Sequence, residues 1–261
     1  MQGLAMRFLG HSTVRLELAG RVVLTDPVLT TRVGPLRRTV APVAADDHTG
    51  VDLVLLSHLH ADHLHLPSLR RLRGARVVVP RGAGEWLRGK GIGWVDELGP
   101  GEELVDGGLR VTGVEAAHSG HRWGPRSTRG PQARAMGHLL EAPGLRVYAA
   151  GDTDLFDGMA RLPRPDVALL PVWGWGPDLG PGHLDPERAA EAVARLRPRV
   201  TVPVHWGTLA PAGLAVAPGR RGARMRDRLV APPREFAAAV AAAGVGTHVA
   251  LTEPGHPVVL P

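Results

Sequence analysis

Within seven residues, Ser57-His58-Leu59-His60-Ala61-Asp62-His63, the chain sets three imidazoles and one carboxylate on a single short turn. At this chain's own His and Asp frequencies, those four positions would coincide by chance on the order of 0.002 times, so the pattern carries information. Imidazole nitrogen and carboxylate oxygen together suit zinc, manganese or iron, and one compact turn can offer ligands to two ions at once. The chain has no cysteine, which removes thiol nucleophiles, disulfides and thiolate ligands together. Any metal must therefore rest on His and on Asp or Glu. One turn cannot complete two coordination spheres, and His118, Asp152 and His205 are the candidates to finish them.

Two divalent cations carry four positive charges against the two carboxylates Asp62 and Asp152. A water held between them would ionise near neutral pH, and the same charges would polarise a carbonyl or phosphoryl oxygen. No Ser or Cys nucleophile is needed. The expected chemistry is metal-dependent hydrolysis of an ester-like bond.

The elements around these residues explain how they could converge. Phe8 to Asp26 alternates apolar and polar residues, breaks at Ala19-Gly20 and resumes, as a β-hairpin does. Val51 to Leu56 is a short apolar run of buried-strand type that ends at His58. A helix is expected from Leu66 to Arg73 and a strand from Ala75 to Val79. Short strands follow at Glu103–Val105, Leu109–Val114, His138–Glu141, Leu145–Ala149, Asp166–Val172 and Arg199–Val204. His118, Asp152 and His205 each follow a strand, where loops on a rigid scaffold carry function. Asp185-Pro186-Glu187 is a helix start, with an N-cap acid and a proline at the first helical position. In that helix Ala189, Val193 and Leu196 share a face, and Glu191 can pair with Arg195. Phe236–Ala243 reads as helix and His248–Leu251 as a closing strand, whereas Pro27–Gly50 reads as a long loop. Strands fall in two groups with helices between, so the expected class is α/β: two mixed sheets flanked by helices, in one domain over 1–261.

The set His-x-His-x-Asp-His, a later His, an Asp and a final His resembles the metallo-β-lactamase superfamily along the whole chain. Gly10-His11-Ser12, Thr25-Asp26-Pro27 and Gly182-His183-Leu184-Asp185-Pro186-Glu187 are similar to the branch that contains ascorbate-6-phosphate lactonase and N-acylphosphatidylethanolamine phospholipase D. The resemblance implies a four-layer αβ/βα sandwich with a dinuclear site. It assigns His58, His60 and His118 to one ion, Asp62, His63 and His205 to the other, and Asp152 as the bridge. Zinc is the first expectation for both ions, with Mn2+ and Fe2+ compatible.

Around the ligands, Asp26 is expected to accept a hydrogen bond from a metal-bound imidazole and so fix its aim, with His11 in the same layer. Asp62 and His183 are the expected catalytic side chains, since His183 precedes the capped helix and could meet substrate or hand a proton to the leaving group. Arg122, from a stretch that also holds His121, Arg126, Arg129 and Arg134 without an acid, is expected to contact an anionic substrate. Trp173 and Trp206 are expected as pocket walls; Trp123 and Trp175 also lie near the motifs.

The 261 residues and 44% hydrophobic content suffice for a substantial core, and exclude disordered and collagen-like classes. No eighteen-residue apolar run and no export signal is seen, so a cytoplasmic protein without a membrane span is expected. The net charge of +6 is almost all arginine, with Lys90 the one lysine. The run Arg220, Arg221, Arg224, Arg226 and Arg228 reads as a solvated loop, because no aromatic residue is interleaved for base stacking. The expected partner is therefore a small anionic substrate rather than nucleic acid, and the oligomeric state is open. The alternatives are a metal-dependent nuclease and a metal-binding protein without turnover.

Overall fold

Successive side chains of the strand Leu53–Leu55 enter different cores: Leu53 and Leu55 join one apolar cluster and Val54 another. The neighbouring strand Arg76–Pro80 does the same, with Val78 on one side and Val77 and Val79 on the other. A strand apolar on both faces must be covered on both, and that requirement sets the layers. In the computed structural model, which describes residues 3–123, 129–174 and 180–261, the larger cluster joins the inner faces of two seven-stranded sheets. Phe8, Leu16 and Leu53 meet it from one sheet and Val111, Leu140 and Val147 from the other. Leu69 and Leu87, from the short helices Leu66–Leu69 and Gly84–Arg88, cover the first sheet's outer face. The helices Pro186–Leu196 and Pro232–Ala242 pack on each other and bring Ala189, Val193, Phe236 and Val240 to the core beside the second sheet.

The first sheet runs His256–Pro257, Leu4–Gly10, Thr13–Leu18, Arg21–Thr25, Leu53–Leu55, Arg76–Pro80, Val95–Leu98. The second runs His248–Val249, Val200–Val204, Val167–Pro171, Leu145–Ala149, Met136–Ala142, Leu109–Glu115, Glu103–Asp106. Each is antiparallel in one half and parallel in the other. The fold is the expected mixed α/β sandwich. Ligand sites in α/β sheets gather at strand carboxyl ends where the strand sense changes. Asp26, His58, Asp152 and His205 all follow strand carboxyl ends, and the strands before Asp26 and Asp152 are the two at which the sense changes.

The helix Pro186–Leu196 starts as expected, with the Asp185 carboxylate accepting the Arg188 N–H at 2.8 Å, and the Glu191–Arg195 pair forms. Three expectations change. The stretch Pro27–Gly50 holds the strands Arg32–Val33 and Leu36–Arg38, which pair with Leu209–Pro211 in a small third sheet. The run around Arg220–Arg228 is not a loop but the helix Gly219–Arg228. Gly222 is its one buried residue, and a Cβ there would lie 1.8 Å from the Ala217 carbonyl oxygen, so only glycine admits that packing. The helix expected over Leu66 to Arg73 is confined to Leu66–Leu69. Among the described residues, no helix is long and apolar enough to cross a membrane.

Candidate metal centre

Three backbones turn left-handed where the strands deliver the site: His11 (φ 56°), Asp26 (φ 35°) and His205 (φ 63°). Non-glycine residues rarely adopt this region, and such strain persists only where surrounding bonds enforce it. Here they do. The His11 N–H donates to Thr208 Oγ1 at 2.7 Å, and the His205 N–H donates to the His11 carbonyl at 2.7 Å. The turn bearing Asp152 is pressed against the histidine turn so closely that a Cβ on Gly151 (φ 64°) would fall 2.3 Å from Ser57 Cβ.

All seven expected ligands meet between the sheets. His58 Nε2 lies 2.9 Å from His60 Nδ1, which lies 3.1 Å from His118 Nε2. A second group gathers Asp62, His63, His205 and also His11, whose Nε2 is 3.1 Å from Asp62 Oδ2. Asp152 stands between: its Oδ2 is 3.3 Å from His63 Nε2 and 3.2 Å from His205 Nε2, and it also groups with His58 and with His118. Asp152 Oδ1 is buried and has no hydrogen-bond partner among the described residues.

Most ring orientations are fixed from behind. His63 Nδ1 donates to Asp26 Oδ2 (2.9 Å), His118 Nδ1 to the Gly182 carbonyl (2.6 Å) and His205 Nδ1 to the Trp173 carbonyl. Ser57 Oγ donates to Asp26 Oδ2 at 2.6 Å and accepts from His58 Nδ1 at 2.9 Å. With Nδ1–H engaged on four rings, their Nε2 atoms turn inward, which is the arrangement metal-ligating histidines require. Asp26 thus holds His63 directly and His58 through Ser57, and it also accepts the Ser57 N–H at 2.8 Å.

The electrostatics fall into two parts. Burial, with His63 and His118 nearby, holds His58 well below the usual imidazole range; burial with His118 nearby brings His60 down to about 4. Both are neutral and offer lone pairs. His63 and His205 go the other way: burial opposes their charge, but Asp152 raises both and Asp26 adds to the rise at His63. Asp62 and Asp152 stay ionised despite burial, Asp62 through its bond to His11 and through His63, Asp152 through His205 and His63. Protons on His63 and His205 occupy the place a cation's charge would take, and cation binding would release them.

The donor set fits divalent cations. Tetrahedral Zn–N bonds of about 2.0–2.1 Å put ligand atoms roughly 3.3 Å apart. The spacings in both groups cluster near that value, and three lone-pair nitrogens so close together have too few protons to satisfy one another.

His183 lies at the rim. Its side chain is 24% exposed, and its Nε2 is 4.0 Å from Asp152 Oδ2. Burial lowers its pKa. Three other expectations are corrected. Arg122 is buried, and its Nη1 donates to the carbonyls of Leu59 (2.6 Å) and Leu64 (2.8 Å), while its guanidinium lies against Trp86 and Trp123. It closes the ends of the turn that carries His60, Asp62 and His63 instead of meeting substrate. Trp173 and Trp206 belong to the core, at 3% and 7% exposure, and Trp206 donates to the Pro203 carbonyl. Trp175 and Arg126 lie outside the described residues. Ser57, Thr208 and the Gly182 carbonyl were not given roles from sequence, although Ser57 stands beside His58 and Gly182 in the motif that holds His183.

Arg122→Met should destabilise the fold by about 3 kcal/mol, because two buried carbonyls lose a charged donor. Denaturant midpoints measure it. An unchanged midpoint with a raised KM for an anionic substrate would restore the substrate-contact reading.

His138, buried on the strand Met136–Ala142, adds an acid sensitivity. It shares a cavity of about 10 Å3 with Asp26, Ser57 and Ser12, and burial lowers its pKa to about 4 against the pull of Asp26. The unfolded chain protonates this group near 6.5 and the folded chain only near 4, so stability is full above 6.5 and falls as pH drops through that window. The loss should approach about 3 kcal/mol. In chelator-treated protein, His138→Gln should make the melting-temperature profile between pH 6.5 and 4 less steep, the remaining slope coming from the other buried histidines, His11, His58, His60 and His65. Parallel profiles for the two proteins would refute the assignment.

A family model for the Beta-lactamase superfamily domain matches residues 21–206. The chain belongs to the metallo-β-lactamase superfamily. Among relatives of this superfamily chain, a UPF0173 metal-dependent hydrolase of Methanopyrus kandleri is 31% identical, over 95% of this chain and 96% of its own. An N-acyl-phosphatidylethanolamine-hydrolyzing phospholipase D of Caenorhabditis elegans is 31% identical over 79% of this chain but 64% of its own length. Among solved structures, a metallo hydrolase of the archaeon Ignicoccus hospitalis superposes with a TM-score of 0.74 at 26% identity, covering 100% of this chain and 99% of the other. The superfamily chain is a metal-dependent hydrolase with a His/Asp cluster able to bind metal.

Proposed function

We propose that this hydrolase cleaves an ester-like bond, a phosphodiester or an acidic or phosphorylated lactone, in a small anionic substrate, using two divalent cations. The observation that carries the reading is the position of Asp152, in contact with one histidine set and grouped with the other. His58, His60 and His118 would hold one ion, Asp62, His63 and His205 the second, and Asp152 would be shared. When bound, such a pair supplies an ionised water near neutral pH and Lewis acidity toward the scissile group.

The protein's own part is positioning. Asp26, Ser57 and the carbonyls of Gly182 and Trp173 aim the rings; Asp62 is kept ionised by His11 and His63. His183, half-buried at the rim, can orient substrate and pass a proton through Nε2 to the leaving-group oxygen. The net charge of +6 supports an anionic substrate. The named activity of the nematode relative supports the phosphodiester over the lactone.

Hydrolysis of bis-p-nitrophenyl phosphate tests the reading. Chelation should abolish it, and zinc, manganese or iron(II) should restore it. His183→Gln should keep the full metal content while lowering kcat/KM by about 10²-fold. Loss of metal from that variant would make His183 a ligand, and turnover that survives chelation would end the proposal.

A further inference from the structure

The strand pair Leu36–Arg38 and Leu209–Pro211 and the helix Gly219–Arg228 border a cavity of about 650 Å3. It shares no lining residue with the His/Asp cluster. Its walls are mainly aliphatic, including Val216, Leu229 and Val230, with three arginines, Arg37, Arg38 and Arg226, and among the described residues no acid. Val216 and Val230 are 85% and 51% exposed, an unusual state for two valines at one opening.

Arg38 is the informative side chain. Its Nε donates to the Ala41 carbonyl at 2.7 Å and its Nη2 to the Leu9 carbonyl, but its Nη1 is buried with no partner among the described residues. Burial lowers its pKa, with Asp47 opposing; that acid is already paired with Arg7 at 3.3 Å. The bordering helix carries Arg220, Arg221, Arg224, Arg226 and Arg228 against the single acid Asp227.

These features select a ligand. A neutral apolar molecule would fill the cavity and leave a buried guanidinium nitrogen unpaired. A small polar anion would pair the arginine and leave the aliphatic wall wet. A molecule with both parts satisfies both, and the volume lies within the about 300–1,000 Å3 of small-molecule sites. We infer that this cavity is a second binding site, for a single-chain anionic amphiphile whose carboxylate or phosphate head pairs with Arg38 and whose tail covers the aliphatic wall.

Calorimetric titration of the full chain with dodecyl phosphate, kept below its micelle concentration, tests this. One saturable site per chain is expected, with inorganic phosphate and the neutral dodecyl maltoside each at least about tenfold weaker. Val216→Glu places an acid at the exposed rim without disturbing the core, and Ala215→Trp fills the cavity; each should weaken dodecyl phosphate at least about tenfold while metal content stays unchanged. Absence of saturable binding would overturn the inference. So would binding that survives both variants, which would place the amphiphile at the metal centre, equal affinity for the maltoside, or adhesion to phosphatidylglycerol vesicles without binding of the free amphiphile.

Discussion

An Asp152→Asn chain should fold, bind less metal and hydrolyse bis-p-nitrophenyl phosphate at least about 10³-fold more slowly than the parent, beyond the roughly 10–100-fold that follows loss of a supporting group. The side chain keeps its volume, so the close packing of Gly151 on Ser57 is undisturbed. What disappears is the buried negative charge, and it disappears where nothing replaces it. Asp152 Oδ2 is 3.3 Å from His63 and 3.2 Å from His205, and the same residue groups with His58 and with His118. Asp62, the other carboxylate of the cluster, groups among the described residues with His11, His63 and His205. An amide at position 152 would also let His63 and His205 lose the stabilisation of their charged forms, which ties them to Asp152 ahead of any other partner. Circular dichroism, metal analysis by mass spectrometry and steady-state rates on one preparation separate the effects. Parental metal content together with parental turnover would remove Asp152 from the centre.

The convergence of these side chains was legible because the histidine turn, His118, Asp152 and His205 each come where a short apolar run stops and polar residues begin. Leu53–Leu55 ends just before His58 and Leu145–Ala149 just before Asp152, so strand ends and ligands could be read together. Arg122 shows where that reading fails. Sequence shows a guanidinium beside a candidate ligand, but not whether its donors face solvent or the carbonyls of Leu59 and Leu64, which lie about sixty residues away. Trp173 and Trp206 fail for the same reason, since nearness to a motif in sequence does not say which side of the sheet a ring takes. The helix Gly219–Arg228 had no apolar stripe to find: it packs through the glycine Gly222, the single apolar side chain Met225 and the Arg226 bonds to the Ala215 and Ala217 carbonyls. The small third sheet depends on pairing Leu36–Arg38 with Leu209–Pro211, a register that no local pattern encodes.

Asp26→Ala should be the most destabilising single change at the centre, at about 3–5 kcal/mol, with a further roughly 10–100-fold loss of metal affinity in whatever fraction folds. Asp26 is buried, and its two oxygens serve the Ser57 N–H, the Ser57 hydroxyl and His63 Nδ1 at 2.6–2.9 Å. Removing the carboxylate orphans all three donors at once and withdraws one of the two acids that stabilise charge on His63. Asp26→Asn separates the two effects. Asparagine tolerates the left-handed backbone at φ 35° and can still accept one bond, so most of the stability should return. Its amide cannot repeat the carboxylate's charge, so His63 would keep a weaker hold on its Nδ1 proton and metal affinity should stay low. Denaturant midpoints in the presence of chelator give the first quantity, and competition against a chromophoric chelator gives the second. If asparagine restores both fully, the charge of Asp26 has no part in holding the ligands, and its role reduces to bracing the turn at Ser57.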